Sequence, residues 1–342
     1  MKEEKKLFLL NSALLYQELI KQTTNDCLRR FLAFRIIVNA TSYEELINDR
    51  KFRKFRGIRD KFLSHKQEGK FFEAFGAADY IRDENVSNLV TFMIDNLQRK
   101  EMYRYFPEIV NNYVSFKFNQ KAILILKKFE KDFHSGFRIS NNFLCNAENQ
   151  ITEISSNPIS SVFYRYNSTK ELAIFSNYFI SCLEDHNDFI NAFRNFKIDY
   201  ILHIVNMNDC IFKDSFNRYS IDGLYEAMKN VNIGNVSELE KLKSDTNFNT
   251  EYTKLRTIRN HIAGHIDKNR SLTDLIIEVD NYDFQKAFDF YNQLDSAIKE
   301  TSFTHPVLKT HALSCIPIKN ENIIEMKGLK NIGYFELGGD AL

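Results

Sequence analysis

The sequence predicts an all-α protein built from two tandem helical bundles. Only 4 prolines and 11 glycines occur in 342 residues, a composition that favours helices joined by short loops over sheets with many turns. Apolar residues recur at helical spacing through most of the chain. A phrase near residue 60 is repeated near residue 260, which is expected when one helical unit occurs twice.

Apolar spacing and helix-start signals predict five helices in the first half of the chain. In order, they cover 6–21, 28–38, a helix that opens at Ser42, 85–105 and 108–133. Thr23 or Asn25 caps the second of these helices. Ser42 and Glu45 match a capping box, in which a hydroxyl at the helix start and a carboxylate three residues later satisfy free N–H groups. The third helix therefore leads into the first copy of the repeated phrase.

The second half is predicted to follow the same order as the first. Ser168 or Thr169 caps a helix that runs through Phe193, and a second helix follows at 198–212. The remaining predicted helices are a short one near 221–229, one at about 250–266 and one at 281–300. Each half thus contains two long helices, a helix with the repeated phrase and a closing helix.

These elements divide the chain into four regions. Residues 1–135 are predicted to form the first bundle and residues 168–300 the second. Residues 136–167 are rich in Asn and Ser and lose helical periodicity, which predicts a linker. Residues 301–342 form a short irregular appendage in which two short strands could pair as a β-hairpin.

Composition restricts the function classes and the compartment. The net charge is +1, and no stretch approaches the roughly 18 apolar residues of a membrane span, so no membrane partner is expected. The 5 cysteines are scattered without a C-x-x-C pair, which argues against a disulfide framework or a zinc site. The lysine-rich N-terminus lacks the long apolar core of a signal peptide. We therefore expect a cytoplasmic protein with no metal and no other cofactor.

Positive charge is concentrated around both copies of the repeated phrase. Between residues 50 and 70, 9 lysines and arginines face 2 acidic residues, and between residues 250 and 270 the numbers are 5 and 2. Such neighbourhoods suit a polyanion, and RNA is the partner that we expect. The candidate RNA-binding residues are Arg50, Lys51, Arg53, Lys54 and Lys61. A solvated helix face with a local excess of cations would give the same pattern.

The repeated phrase reads R-G-I-R-D-K-F-L-S-H at Arg56–His65 and R-T-I-R-N-H-I-A-G-H at Arg256–His265. We call these stretches motif 1 and motif 2. Their identical positions are Arg56/Arg256, Ile58/Ile258, Arg59/Arg259 and His65/His265. The residue after the second arginine is short and polar in both motifs. The match of several residue types at fixed spacing indicates an internal repeat.

An arginine, then Asp or Asn, then four residues and a histidine resembles the signature of the HEPN superfamily (higher eukaryotes and prokaryotes nucleotide-binding). These are small all-α domains, and many of them are metal-independent ribonucleases. The resemblance assigns roles to eight residues. They are the proton-transfer residues His65 and His265, the phosphate-binding Arg59 and Arg259, the orienting Asp60 and Asn260, and the auxiliary cations Arg56 and Arg256.

The chemistry of RNA cleavage suits these residue types. The 2′-OH of RNA can attack the adjacent phosphate, so the protein must move two protons and stabilise charge on the phosphate. Histidine, whose ordinary pKa is about 6.5, serves as a general acid or base near neutral pH. Arginine is always charged, and its forked donors match the phosphate oxygens. The residues and the resemblance therefore predict a metal-independent endoribonuclease.

One geometric problem remains within each motif. On an ideal helix, residues six apart lie roughly 120° from each other around the axis, so the arginine and the histidine do not share a face. They converge if the helix ends or is distorted near Ser64 and Gly264, or if a second motif contributes. HEPN ribonucleases often pair two domains so that two motifs line one cleft. Here the pair could form within one chain as a pseudo-dimer, or between two chains as a homodimer.

The resemblance also implies a biological role and leaves alternatives open. In a bacterium, such an enzyme would serve anti-phage defence by abortive infection, or a toxin–antitoxin system, with a protein partner that inhibits or activates it. Some HEPN toxins are modified on a Tyr two residues after the histidine, but Gln67 and Asp267 occupy those positions here. A non-catalytic RNA-binding or protein-docking module fits the same residues, as does a helical scaffold subunit. In the inactive alternative, Arg56 and Asp60 form an ordinary i,i+4 ion pair.

Overall fold

The computed structural model describes residues 2–22, 26–60, 83–97, 158–183, 190–212, 223–230, 235–263 and 266–301. Every element assigned in these residues is helical, and none of them lies in a strand. The predicted all-α class is therefore confirmed. The helix predicted at 108–133 and the strands predicted in the tail lie outside the described residues. Within the described ranges, no helix has both the length and the apolar character that crossing a membrane requires.

The described residues of the first half form four helices. They are α1 (Lys2–Gln22), α2 (Asp26–Ile47), α3 (Arg53–Ile58) and α4 (Asp83–Asp95). α2 continues through Ser42, whose side chain is buried inside the helix. The capping box predicted at Ser42 is therefore wrong. The helix does not restart there because its apolar face continues across this position through Tyr43 and Leu46, both of which are buried.

The C-terminal end of α2 brings the chain back toward its own last turn. Asn48 has φ 58°, a left-handed conformation that Asn tolerates better than most residues. Its N–H donates to Glu45 O at 3.3 Å, and the Asp49 N–H donates to Glu44 O at 3.1 Å, which is the hydrogen-bond pattern of a Schellman motif. The Phe52 N–H then donates to Glu44 Oε1 at 2.5 Å. α3 consequently begins beside the two acidic residues that end α2.

In the second half, the part of the chain that the structure describes forms seven helices and one wider turn. They are α5 (Pro158–Leu183), α6 (Ile190–Ile211), α7 (Leu224–Asn230), α8 (Ser237–Ser244), α9 (Thr246–Ile258), a π-helical turn (Arg259–Ala263), α10 (Leu272–Asp280) and α11 (Phe284–Lys299). The predicted cap at Ser168 or Thr169 is wrong, because α5 already begins at Pro158, inside the predicted linker. Proline suits the first turn of a helix, where its missing N–H costs nothing. Sequence periodicity did not predict α8 or α10.

Side-chain caps fix the starts of the last three helices. The Asp245 carboxylate accepts from the Asn247 and Phe248 N–H groups at 2.7 and 3.0 Å, so α9 begins a turn earlier than predicted. Ser271 caps α10 and Asp283 caps α11 in the same manner. Each such cap stabilises its helix by about 1 kcal/mol.

The two halves repeat one pairing of long helices. α1 packs along α2, and α5 packs along α6, and these are the most extensive helix–helix contacts in the described residues. In each half the helix that carries the motif, α3 or α9, packs against the second long helix. The order of two long helices and a motif helix therefore holds in both halves.

Aromatic side chains join the two halves in one continuous core. Phe31 on α2 stacks on Phe175 and Phe179 of α5, with ring centroids 5.0 and 6.0 Å apart. Tyr16 on α1 packs against Phe196 of α6 at 5.0 Å. Burial of each of these side chains is worth roughly 1.5–3 kcal/mol. The packing between the halves is thus as apolar as the packing within them.

A buried polar cluster crosses the same boundary. Arg35 on α2 forms an ion pair with Asp199 on α6, and both side chains are almost completely buried. Asp199 also accepts a hydrogen bond from Ser176 at 2.6 Å and lies 3.0 Å from His203 Nε2. Burial lowers the pKa of Arg35 to about 10. His203 is therefore a core residue with a polar partner.

Candidate functional site

Both motifs contain the same change in helix geometry at their second arginine. α3 ends at Ile58, and Arg59 and Asp60 enter a π-helical turn; α9 ends at Ile258, and its π-helical turn starts at Arg259. In each case the arginine N–H donates to the carbonyl groups three and four residues earlier. A π-helical turn is wider than an α-helical turn and is frequent at functional sites. These turns precede Ser64 and Gly264, where the motif spacing predicts a helix end or distortion, and those two positions lie outside the described residues.

Arg59 of motif 1 is fully buried between two carboxylates. Its Nη2 lies 2.7 Å from Glu45 Oε1 and 2.7 Å from Asp60 Oδ1, and its Nε donates to Asp60 at 2.8 Å. Burial alone would lower the pKa of Arg59, but the hydrogen bond to Glu45 and the charge of Asp60 raise it above its ordinary value. Arg59 is thus a permanently charged group whose donors are directed at protein oxygens.

Arg259 of motif 2 occupies the corresponding position with different partners. Its Nη1 donates to Asn260 Oδ1 at 2.9 Å, and its Nη2 donates to Asn206 Oδ1 at 3.3 Å. The nearest carboxylate is Asp209, whose Oδ2 lies 3.5 Å from Nη2. Arg259 is 8% exposed. In both motifs, therefore, the arginine binds its own following residue and a residue of the preceding long helix.

The first arginine of each motif is more accessible. Arg56 donates to Glu44 Oε2 at 3.0 Å and lies 3.9 Å from Glu45, while 27% of its side chain stays exposed. The predicted i,i+4 pairing of Arg56 with Asp60 is replaced by these contacts. Arg256 lies over the Tyr252 ring, with 5.9 Å between the guanidinium carbon and the ring centroid. Such a contact is typical of a partly exposed arginine.

A cavity of about 700 Å³ lies between the start of motif 1 and the segment that follows motif 2, and we call it the inter-motif cavity. One wall comes from the end of α2 and from α3, and the other comes from the segment that follows motif 2. The lining residues are Glu45, Asn48, Asp49, Arg50, Arg56, Ile266, Asp267, Lys268 and Asn269. Residue 266 directly follows the motif 2 histidine in sequence. The fold therefore brings the surroundings of both motifs to one space within a single chain.

The carboxylates of this cavity are already engaged by the protein. Glu45 accepts from Arg59, Asp49 accepts from the Arg50 and Lys51 N–H groups, and Asp267 accepts from the Asn269 N–H group. By contrast, the side chains of Arg50 and Lys268 are exposed and have no hydrogen-bond or ion-pair partner within the described part of the chain. The cations available to a ligand in this cavity are thus Arg50, Lys268 and the exposed part of Arg56.

The remaining predicted residues lie outside the cavity lining, have side chains that are not described, or lie outside the described part of the chain. Lys51 is exposed, and its ammonium lies over the Phe52 and Phe92 rings at 5.5 and 5.4 Å, outside the cavity lining. Arg53 and Lys54 belong to α3, but their side chains are not described. Lys61, His65 and His265 lie outside the described residues. The structure thus brings together Arg50 and Arg56 in one cavity, with Arg59 directly behind its wall.

Several residues that contact the motif arginines or line the cavity do not belong to either motif, so the motif pattern does not predict them. They are Glu44, Glu45, Asn206, Asp209 and Lys268. Glu44 and Glu45 end α2, and Asn206 and Asp209 are close to the end of α6. Acidic and amide groups one turn apart near the end of a long apolar helix are the sequence signal that could have found them. Lys268 was counted only within the basic neighbourhood of motif 2.

A second polar cluster lies behind motif 2. His261 Nδ1 is 3.0 Å from Glu278 Oε1 and 2.6 Å from Arg270 Nη1, and Arg270 also contacts Glu278 at 2.5 Å. These three residues connect the π-helical turn to α10. His261 therefore has specific partners, although motif 1 has Lys61 at the same position.

Metal-binding groups and known relatives give no further assignment. Among the described residues, no group of three or more His, Cys, Asp or Glu side chains is arranged to hold a metal ion. Comparison of the chain with protein-family models, with curated proteins and with solved structures finds no match. The family resemblance therefore depends on the residues of the two motifs and on the all-α fold around them.

Proposed function

We propose that this protein is a metal-independent endoribonuclease whose cleft is formed by two HEPN-like motifs of one chain. The observation that carries the proposal is the inter-motif cavity. Its walls come from both motif neighbourhoods, which are far apart in sequence, and it contains three arginine and lysine side chains. This arrangement favours the pseudo-dimer within one chain over a homodimer as the way in which the two motifs meet.

RNA would bind through its phosphates in this cavity. Arg50 and Lys268 are exposed without an ion-pair partner in the described part of the chain, and Arg56 keeps part of its side chain exposed beside Glu44 and Glu45. Cations that contact phosphates release condensed counterions, which makes binding strong at low salt. We expect the 2′-OH to attack the adjacent phosphate, with His65 and His265 as the general base and acid.

The buried arginines would act from behind the cavity wall. Arg59 is hydrogen-bonded to Glu45, which lines the cavity, and so it holds one wall of the cleft. Arg259 is bound mainly by amides and keeps more of its positive potential, so we assign to it the stabilisation of charge on the phosphate. Asp60 and Asn260 each orient the arginine that precedes them. The biological role that follows by resemblance is anti-phage defence or a toxin–antitoxin system.

The test uses the full chain with mixed cellular RNA in the presence of EDTA. We expect cleavage that leaves 2′,3′-cyclic phosphate ends in the wild type. The double variant His65→Ala/His265→Ala should bind the same RNA without cleaving it, because histidines that transfer protons contribute to the rate and little to binding. RNA that stays intact with stoichiometric wild-type protein would contradict the proposal, as would cleavage that persists in the double variant.

One observation favours a second candidate, a non-catalytic RNA-binding or protein-docking module. Arg59 is 0% exposed, and its Nε and Nη2 atoms face the carboxylates of Glu45 and Asp60, which is the environment of a structural ion pair. In such a module the same cavity would bind a polyanion without chemistry. A gel shift that weakens steeply with salt, together with intact RNA, would identify RNA binding as the function.

A further inference from the structure

Lys5 of the first half is attached to the segment that follows motif 2. Its side chain lies in α1 and is almost completely buried, at 1% exposure. The ammonium donates to Asp267 O at 2.5 Å and to Arg270 O at 2.6 Å. Residues 266–270, which we call the wall segment, supply four of the residues that line the inter-motif cavity. One buried lysine thus links the first helix of the chain to the cavity wall.

A buried ammonium needs strong partners, because removing its charge from water is costly. Burial lowers the pKa of Lys5 below its ordinary value, while the nearby charges of Asp267 and Glu4 act in the opposite direction. The two backbone carbonyls provide charge-assisted hydrogen bonds, which are stronger than those between neutral groups. Lys5 therefore has a defined position, and both of its acceptors belong to the wall segment.

The wall segment has few constraints of its own. It follows the π-helical turn and adopts no regular helix before α10. Within the described residues, its backbone N–H groups form two hydrogen bonds, from Asp267 N–H to His261 O of the π-helical turn at 2.9 Å and from Asn269 N–H to Asp267 Oδ1 at 2.8 Å. The Arg270 side chain holds its far end to Glu278. Between these two ends, the exposed Lys268 depends on the backbone carbonyls that Lys5 holds on either side of it.

We infer that Lys5 is a positioning residue of the cleft, which holds the wall segment so that Lys268 faces the inter-motif cavity. As a statement about RNA, this inference rests on the proposed function. As a statement about the segment, it stands on the two hydrogen bonds and the burial of Lys5. It also gives α1 a specific role, since a helix of the first half would control the conformation of the motif 2 side of the cleft.

The chain provides a matched control one residue away. Lys6 is on the same helix and is also largely buried, but its ammonium pairs with Glu3 at 2.5 Å and not with the wall segment. Lys5→Met keeps the length and apolar stem of the side chain while it removes the donors. Lys5→Arg keeps a charged donor, and Lys5→Gln keeps a shorter neutral one. Lys6→Met removes a comparable charge without touching the wall segment.

The experiment measures amide hydrogen exchange across the full chain and binding to a fluorescein-labelled single-stranded RNA. In Lys5→Met we expect exchange in the wall segment to become at least about tenfold faster, since two charge-assisted hydrogen bonds are lost. Exchange in α6 should stay unchanged. Lys5→Arg should restore slow exchange in part, and Lys6→Met should resemble the wild type. If Lys5→Met does not fold, Lys5→Gln replaces it in every comparison.

RNA affinity gives the second measurement. A displaced Lys268 should weaken RNA binding by about three- to tenfold. The slope of log Kd against log salt concentration should fall by the amount expected for about one phosphate contact. Unchanged exchange in the wall segment of a folded Lys5 variant would overturn the inference, and so would equal effects of Lys5→Met and Lys6→Met. Absence of RNA binding by the wild type would contradict the proposed function alone, because the exchange data test Lys5 without RNA.

Discussion

Motif 1 and motif 2 place the same arginine at the start of the same π-helical turn, but they surround it differently. Arg59 contacts the carboxylates of Glu45 and Asp60 at 2.7 Å. Arg259 contacts the amides of Asn260 and Asn206, and its carboxylate partner Asp209 is more distant at 3.5 Å. The backbone geometry has thus been kept in the repeat while the electrostatic surroundings have diverged.

The charges next to each guanidinium determine how much positive potential that guanidinium presents to its surroundings. Two full negative charges next to Arg59 cancel its potential at the cavity, and a neighbouring carboxylate, Glu44, engages Arg56 as well. Arg259 faces one carboxylate at a longer distance, so more of its positive potential remains. In the proposed ribonuclease, motif 1 would therefore hold the structure of the cleft, and motif 2 would act on the phosphate.

We expect the largest effect in the rate of RNA cleavage, which should fall more on substitution of His265 than on substitution of His65. If motif 2 acts on the phosphate, His265→Ala should lower the rate of RNA cleavage by about 100-fold or more, and His65→Ala by a smaller factor. Cleavage rates at saturating RNA in EDTA measure this, with Kd measured in parallel. Lys241→Gln, a substitution of an exposed lysine on α8, serves as the control. Equal losses from both motif variants would show that the motifs contribute equally.

The free energy of unfolding should depend more on the arginine of motif 1 than on the arginine of motif 2. Arg59→Met leaves two carboxylates at a buried site without their cation, and we expect the free energy of unfolding to fall by about 3 kcal/mol. Arg259→Met leaves mainly amides and should cost about 1–2 kcal/mol. Urea denaturation of the full chain measures both values. Arg194→Met, which breaks the exposed pair with Asp280, should change stability by less than about 1 kcal/mol. A larger cost for Arg259→Met than for Arg59→Met would reverse the comparison.

Substituting the residue that follows each arginine, Asp60 or Asn260, by its counterpart in the other motif makes the surroundings of the two arginines more alike. Asn260→Asp adds a carboxylate beside Arg259, and we expect RNA affinity to fall by about three- to tenfold because the local potential drops. Asp60→Asn removes a charge beside Arg59 and should leave affinity unchanged or slightly higher. Asn247→Asp adds the same charge at the far end of α9 and controls for net charge. An equal loss from Asn247→Asp and Asn260→Asp would make net charge, and not Arg259, the cause.

The smallest expected effects concern the exposed cations of the cavity. Lys268→Gln and Arg50→Gln should each lower the salt dependence of RNA binding by about one phosphate contact, with modest losses of affinity. Fluorescence anisotropy at several salt concentrations measures the slope. Lys241→Gln, an exposed lysine on α8, should leave it unchanged. If only one of the two cavity variants changes the slope, RNA contacts a single wall of the cavity.

Sequence reasoning succeeded where local pattern decides the structure. Helical periodicity and the scarcity of proline predicted the all-α class, which the described residues confirm. It failed at element boundaries. Ser42 resembles a helix start, but it is buried in mid-helix, because tertiary packing outweighs a capping preference of about 1 kcal/mol.

The amino-acid pattern alone predicts the all-α class, the occurrence of one motif twice and the residue that follows each arginine. Only the tertiary structure decided that Glu45 and Asp209 bind those arginines, that the two motif neighbourhoods share a cavity, and that Lys5 reaches the wall segment. Periodicity reports which face of a helix is buried, because burial repeats every turn. It does not report which other helix covers that face, because the partner is set by packing among residues far apart in the chain.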